Sequence, residues 1–105
     1  RGRTLVFDEV DAGIGGEAAD RVGAKLRGLS NQAQILCVTH LPQIATYGTT
    51  HYRVKKVTVN DRTTATVDRL DDGARAAEIA RMMTGTRVSD AVLQTARELL
   101  EGEHQ

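Results

Sequence analysis

The 105-residue sequence has no tryptophan, one phenylalanine, two tyrosines, one cysteine and one proline. With so few rings, any core must be built from Val, Ile, Leu and Ala. Cys37 can form no disulfide within the chain, so a reducing compartment is its natural setting. Its place inside the apolar run Ile35-Leu36-Cys37-Val38 reads as core packing rather than as a reactive thiol. No apolar run approaches the roughly 18 residues of a membrane span and no signal-peptide pattern occurs, so a soluble, cytoplasmic chain with no membrane partner is expected. An excess of one charge is missing too. Fourteen basic residues balance 14 acidic ones without any Lys/Arg cluster, so this stretch lacks the electrostatic footprint of a nucleic-acid surface. There is no internal repeat and no initiating Met, and Arg1-Gly2-Arg3 runs straight into apolar residues; a fragment of a longer protein is expected. At this length the chain is one domain or part of one, burying about 60 to 65% of its unfolded surface if it folds alone.

What is present is organised around Thr4-Leu5-Val6-Phe7-Asp8-Glu9-Val10-Asp11, followed by Ala12-Gly13-Ile14-Gly15-Gly16. Apolar β-formers running into adjacent carboxylates and a glycine-rich turn read as a buried strand that delivers acids to its C-terminal edge, where open α/β sheets bind ligands. Side chains alternate along a strand, so Asp8 and Glu9 point apart and take different tasks. One suits Mg²⁺ and the other suits orienting or deprotonating a water. A second apolar run at 35 to 38 ends in Thr39-His40. Two parallel strands ending in these pairs would line one crevice with a metal ligand, a base and an imidazole.

Between the strands, residues 17 to about 29 predict a helix with Ala18, Ala19, Val22, Leu26 and Leu29 inward and Asp20, Arg21, Lys25 and Arg27 outward. The strand-helix-strand order implies a right-handed crossover and parallel strands at 4 to 8 and 34 to 38. Gly13, Gly15 and Gly16 serve equally well as a flexible turn or as backbone that a ligand approaches closely. Leu41 to Ala45 predict a short helix with Pro42 in its first turn. Residues 51 to 59 and 63 to 70 alternate as two half-exposed strands about an Asn60-Asp61-Arg62 turn, with Lys55 and Lys56 as solvated edge charges. Asp71-Asp72-Gly73 open a helix carrying Ala77, Ile79, Ala80, Met82 and Met83, which Thr84-Gly85 stop. Ser89 caps a last helix with Ala91, Val92, Thr95, Ala96, Leu99 and Leu100 on its apolar face, and 101 to 105 is a frayed end.

The strings TLVFDEVDAGIGG at 4 to 16, ILCVTHLPQIA at 35 to 45 and EIARMMTG at 78 to 85 resemble the second half of an ABC-type ATPase head, and more narrowly the RecN-like relatives of the SMC proteins. The resemblance covers nearly the whole chain. It implies an α/β fold, the C-terminal lobe of an ABC/SMC-type P-loop NTPase head, with parallel strands joined by a crossover helix, a β-hairpin and C-terminal helices. By position, Asp8 is similar to the Walker B aspartate that binds Mg²⁺, Glu9 to the carboxylate that activates the hydrolytic water, and His40, beside Thr39 at the nucleotide, to the switch histidine at the γ-phosphate. Ala12, Gly13, Ile14 and Gly15 match the D-loop across the head interface, with Gly15 where the wider pattern has aspartate. ATP and Mg²⁺ are the implied ligands. The implied partners are the N-terminal lobe of the same protein, a second copy in a homodimer, and DNA through the full-length protein, at the nucleoid, during recombinational repair of broken DNA.

The phosphate-cradling GxxxxGK[ST] loop does not occur in these residues, nor do the glutamine loop and signature segment, so this stretch alone is expected to be inactive. Three other readings compete. Asp8, Glu9 and Asp11 could form a two-metal nuclease cluster, although His40 stands where another acid would be wanted. The chain could be an assembly lobe without chemistry. It could also come from an ABC transporter ATPase or another SMC head, against which the VTHLPQIA and EIARMMTG segments argue.

Overall fold

The computed structural model describes residues 2–8, 16–85 and 87–102. In chain order the elements are β1 (Thr4–Asp8), α1 (Gly16–Leu29), β2 (Gln34–Val38), α2 (Pro42–Ala45), β3 (Tyr52–Val59), β4 (Arg62–Arg69), α3 (Asp72–Thr84) and α4 (Asp90–Gly102). β1 and β2 pair in parallel, as the strand-helix-strand order predicts, with Leu5 opposite Ile35, Phe7 opposite Cys37 and Asp8 opposite Val38. β3 and β4 form a separate antiparallel pair. The hairpin turn is tighter than the sequence suggests, because Asn60 and Asp61 both take positive φ (52° and 64°) and let Arg62 pair with Val59. That two-residue geometry matches the right-handed twist of the strands it joins, and Asn and Asp tolerate it better than bulkier residues do.

The expectation of a buried first strand is not met. Leu5, Phe7, Ile35 and Cys37 form a half-buried face, whereas Val6 and Val38 on the other face are 65% and 56% exposed. Paired residues of parallel strands share a face, so burial here is one-sided. Cys37 is accordingly half-buried rather than enclosed. The hairpin also departs from the half-exposed pattern. Apart from Arg53, every residue of β3 and β4 is exposed, because among the described residues no third strand pairs with the two-stranded sheet.

The fully buried apolar cluster lies in the helices, where Ile79, Ala80 and Ala96 join α3 to α4, with Ala45, Met82, Val92, Leu93 and Leu100 packed around them. Helix boundaries follow their caps. The Asp71 carboxylate accepts from the Ala74 N–H at 2.8 Å, the Ser89 hydroxyl accepts from Val92 at 3.2 Å, and Gly85 ends α3 at φ 89°. On α3, Ile79, Ala80 and Met82 pack as expected, but Ala76 is buried in place of Ala77 and Met83 turns outward. On α4, Leu93 packs in place of Ala91 and Thr95. The turn of α3 that buries Ile79 also buries Glu78, whose carboxylate accepts two bonds from Arg81 at 2.9 and 2.6 Å. That hydrogen bonding holds the Glu78 carboxyl below the usual carboxylate range and raises the Arg81 guanidinium, against the opposing effect of burial.

Candidate functional site

In-register pairing of Asp8 with Val38 brings β1 and β2 to the same finishing line, so Asp8 and the Thr39-His40 pair share the C-terminal edge of the sheet. Asp8 and His40 are exposed there and Thr39 is half-buried. Thr39 shapes the exit from the strand, its hydroxyl accepting from the Leu41 N–H at 3.0 Å. Leu41 then serves as the N-cap of α2, with Pro42 at the first helical position. Glu9, Asp11 and the turn of Ala12, Gly13, Ile14 and Gly15 lie outside the described residues. A cleft of about 480 Å³ sits at the opposite end of the strands, lined by Gly2, Arg3, Thr4, Ser30, Ala33 and Gln34, and so is unconnected with Asp8 and His40.

Sequence reading missed the ties that hold the segment behind His40. Arg27, assigned to the solvent face of α1, is half-buried and donates from Nη1 to the Tyr47 carbonyl at 2.6 Å. Arg75 of α3 reaches the same turn, donating from Nη2 to the carbonyls of Ala45 at 3.1 Å, Thr46 at 3.3 Å and Gly48 at 2.5 Å. Tyr47 in turn donates its hydroxyl to Asp20 at 2.9 Å and lays its ring over Gly23, where an added Cβ would fall 2.8 Å from Cε2 and nearer still to Cδ2. A glycine in mid-helix costs about 1 kcal/mol relative to alanine, and that local cost was the one available signal of a close approach. The arginines gave none, since a helix-face arginine reads the same whether it is solvated or reaching for carbonyls.

His51, featureless in the sequence, stands just before β3 beside Arg75 and Glu78. Burial first, and then the Arg75 charge, lower its pKa from the ordinary 6.5. It lines a polar cleft of about 420 Å³ with Thr49, Thr50, Arg69, Asp71, Asp72 and Arg75.

No family model matches the chain. A solved structure from work on ATP-driven dimerisation and DNA-stimulated activation of SMC ATPases aligns with 97% of this chain and 48% of its own, with a TM-score of 0.54 at 15% identity. At that identity the likeness shows a shared fold. By sequence, the DNA repair protein RecN of Xylella fastidiosa (strain Temecula1) is 53% identical over 98 residues, 93% of this chain. The RecN proteins of Haemophilus influenzae and Rickettsia prowazekii are 43% and 42% identical over 96% and 92% of it. The chain is thus similar to the RecN proteins over more than nine-tenths of its own length, and it spans 18% of the length of each of these relatives.

Proposed function

We propose that the chain is the C-terminal lobe of a RecN-type ATPase head, which hydrolyses ATP once joined to the N-terminal lobe and closed on a second copy, and that the full-length protein uses this cycle at broken DNA in the nucleoid. The observation that carries the reading is the register placing Asp8 and Thr39-His40 at one edge of a parallel pair. The names of the relatives support the connection with DNA repair. The uncovered apolar face with Val6, Leu36 and Val38 supports a second lobe lying against the sheet.

In this reading Glu9 orients the attacking water and accepts its proton, His40 contacts the γ-phosphate, Thr39 sets the turn that presents His40 to the nucleotide, and Ala12 to Gly15 face the other head. The donor at Asp8 fits Mg²⁺, a hard cation that takes one or two carboxylates and completes its shell with phosphate oxygens and water. Bound there, the ion would neutralise phosphate charge. The protein's own contribution is to position the water and phosphate in line and to match the charge that develops in the transition state.

The test is Mg²⁺-dependent ATP hydrolysis by the full-length protein and its Glu9→Gln variant. Turnover should fall at least about 100-fold with nucleotide affinity retained, because the carboxylate acts in the transition state. Turnover unaffected by the substitution would leave this lobe a scaffold.

A further inference from the structure

On one side His40 follows β2; on the other it is connected to the body of the fold through α2. After His40 comes Leu41, and then a helix of four residues, far too short to hold itself together. Its last carbonyl and those of the following turn have no further helix to bond to, although that of Ala45 also accepts from the Gly48 N–H at 3.1 Å, and unpaired backbone oxygens in a half-buried position are costly. Two guanidiniums serve them. Arg75 takes the carbonyls of Ala45, Thr46 and Gly48, and Arg27 takes that of Tyr47, so four consecutive oxygens are held from two different helices.

Arg75 is the unusual member. It is half-buried, and the groups it holds are neutral carbonyls, to which it donates all three of these bonds from a single nitrogen. Burial lowers its pKa from the ordinary arginine value, so the fold bears a desolvation cost to keep this cation in place. Lysine could supply charge here but not a rigid planar donor aimed at a bend of the main chain. Beneath the bend, Ile44 and Thr46 are 4% and 1% exposed, so α2 is seated rather than loose, and its orientation passes through Leu41 to His40.

We propose that Arg75 is a positioning residue for His40, fixing the α2 bend so that the imidazole meets the γ-phosphate. This rests on the reading above in which His40 contacts the nucleotide.

The experiment compares ATP hydrolysis by the full-length protein carrying Arg75→Gln, Arg75→Lys, His40→Ala or the Arg75→Gln/His40→Ala pair, with thermal unfolding of each. Arg75→Gln should lower kcat about 10-fold with KM for ATP changed less than about 2-fold, Arg75→Lys should recover part of the loss, and the pair should be no slower than His40→Ala alone. Should Arg75→Gln melt below the assay temperature, Arg75→Lys and its pair with His40→Ala carry the same comparison. A normal kcat in the Arg75 variant, or losses that multiply in the pair, would overturn the positioning role while leaving His40 at the nucleotide. Normal turnover in His40→Ala would remove the underlying reading, and the proposal with it.

Discussion

In the β1–β2 pair the best-covered side chains are only half-buried, and Val6, Leu36 and Val38 are 65%, 47% and 56% exposed, whereas α3 and α4 close completely over Ile79, Ala80 and Ala96. The two regions are ordered by different means. The helical pair is held by apolar contact, which is non-directional and strong per unit area. The edge that carries Asp8 and His40 is held by register, by α2 and by directional polar ties from Arg27, Arg75 and Tyr47. Hydrogen bonds contribute less net stability than burial but prescribe geometry, which is what a site needs. The proposed site thus lies beside the stable core rather than within it.

Substitutions should separate the two regions. The largest effect is expected at Ile79, which is 0% exposed: Ile79→Ala should cost about 2 to 5 kcal/mol in urea unfolding, through lost burial and the cavity left behind. A loss below 1 kcal/mol would mean that α3 and α4 are not the stabilising centre. Next comes Gly23→Ala, where helix propensity alone predicts a gain of up to about 1 kcal/mol but the Tyr47 ring stands in the way. Overpacking should reverse the sign, giving a net loss of about 1 to 3 kcal/mol that Tyr47→Ala relieves in the double variant. Additive losses would show that the ring and the glycine do not meet. Asp71→Ala removes a cap accepted from Ala74 and should cost about 1 kcal/mol, read as a lower melting midpoint.

Titration offers a gentler probe. His51 has its folded pKa lowered, so its contribution to stability is fully present above 6.5, the unfolded value, and is lost as pH falls from there towards the folded value. Glu78, also lowered, keeps its contribution above 4.5 and loses it only at more acid pH, as the folded pKa is passed. Unfolding followed between pH 7 and 5 should show a decline that His51→Gln flattens; the same slope in the variant would assign the decline to another group. The smallest effect is expected on the open face. Val6→Thr, at a residue 65% exposed, should change stability by no more than about 0.5 kcal/mol, and a larger loss would mean that this face is covered.

How much was legible differs between these regions for a physical reason. Apolar runs ending in Asp8 and in Thr39-His40 mark strands and their polar ends, and a helix between two strands dictates parallel pairing, so the shared edge could be read directly. Caps at Asp71 and Ser89 and the stop at Gly85 follow from local chemistry and were equally plain. The full buried face of α3 was not, because alanines at 76 and 77 fit either face and Glu78 gives no hint that it will be buried with Arg81 as its hydrogen-bond partner. Nor was one-sided burial of the strands legible, since periodicity reports which residues can be covered and not whether anything covers them.

The sequence by itself determined the order of elements, the shared strand edge of Asp8 and Thr39-His40 and the likeness to RecN proteins, because strand ends, caps and motif strings depend on neighbours along the chain. Only the tertiary structure decided that Arg75 of α3 and Arg27 of α1 converge on the bend after α2 and that Tyr47 lies over Gly23. Those contacts join residues 20 to 30 positions apart, and the partners of the two arginines are backbone carbonyls that every residue possesses, so no pattern of side chains announces them.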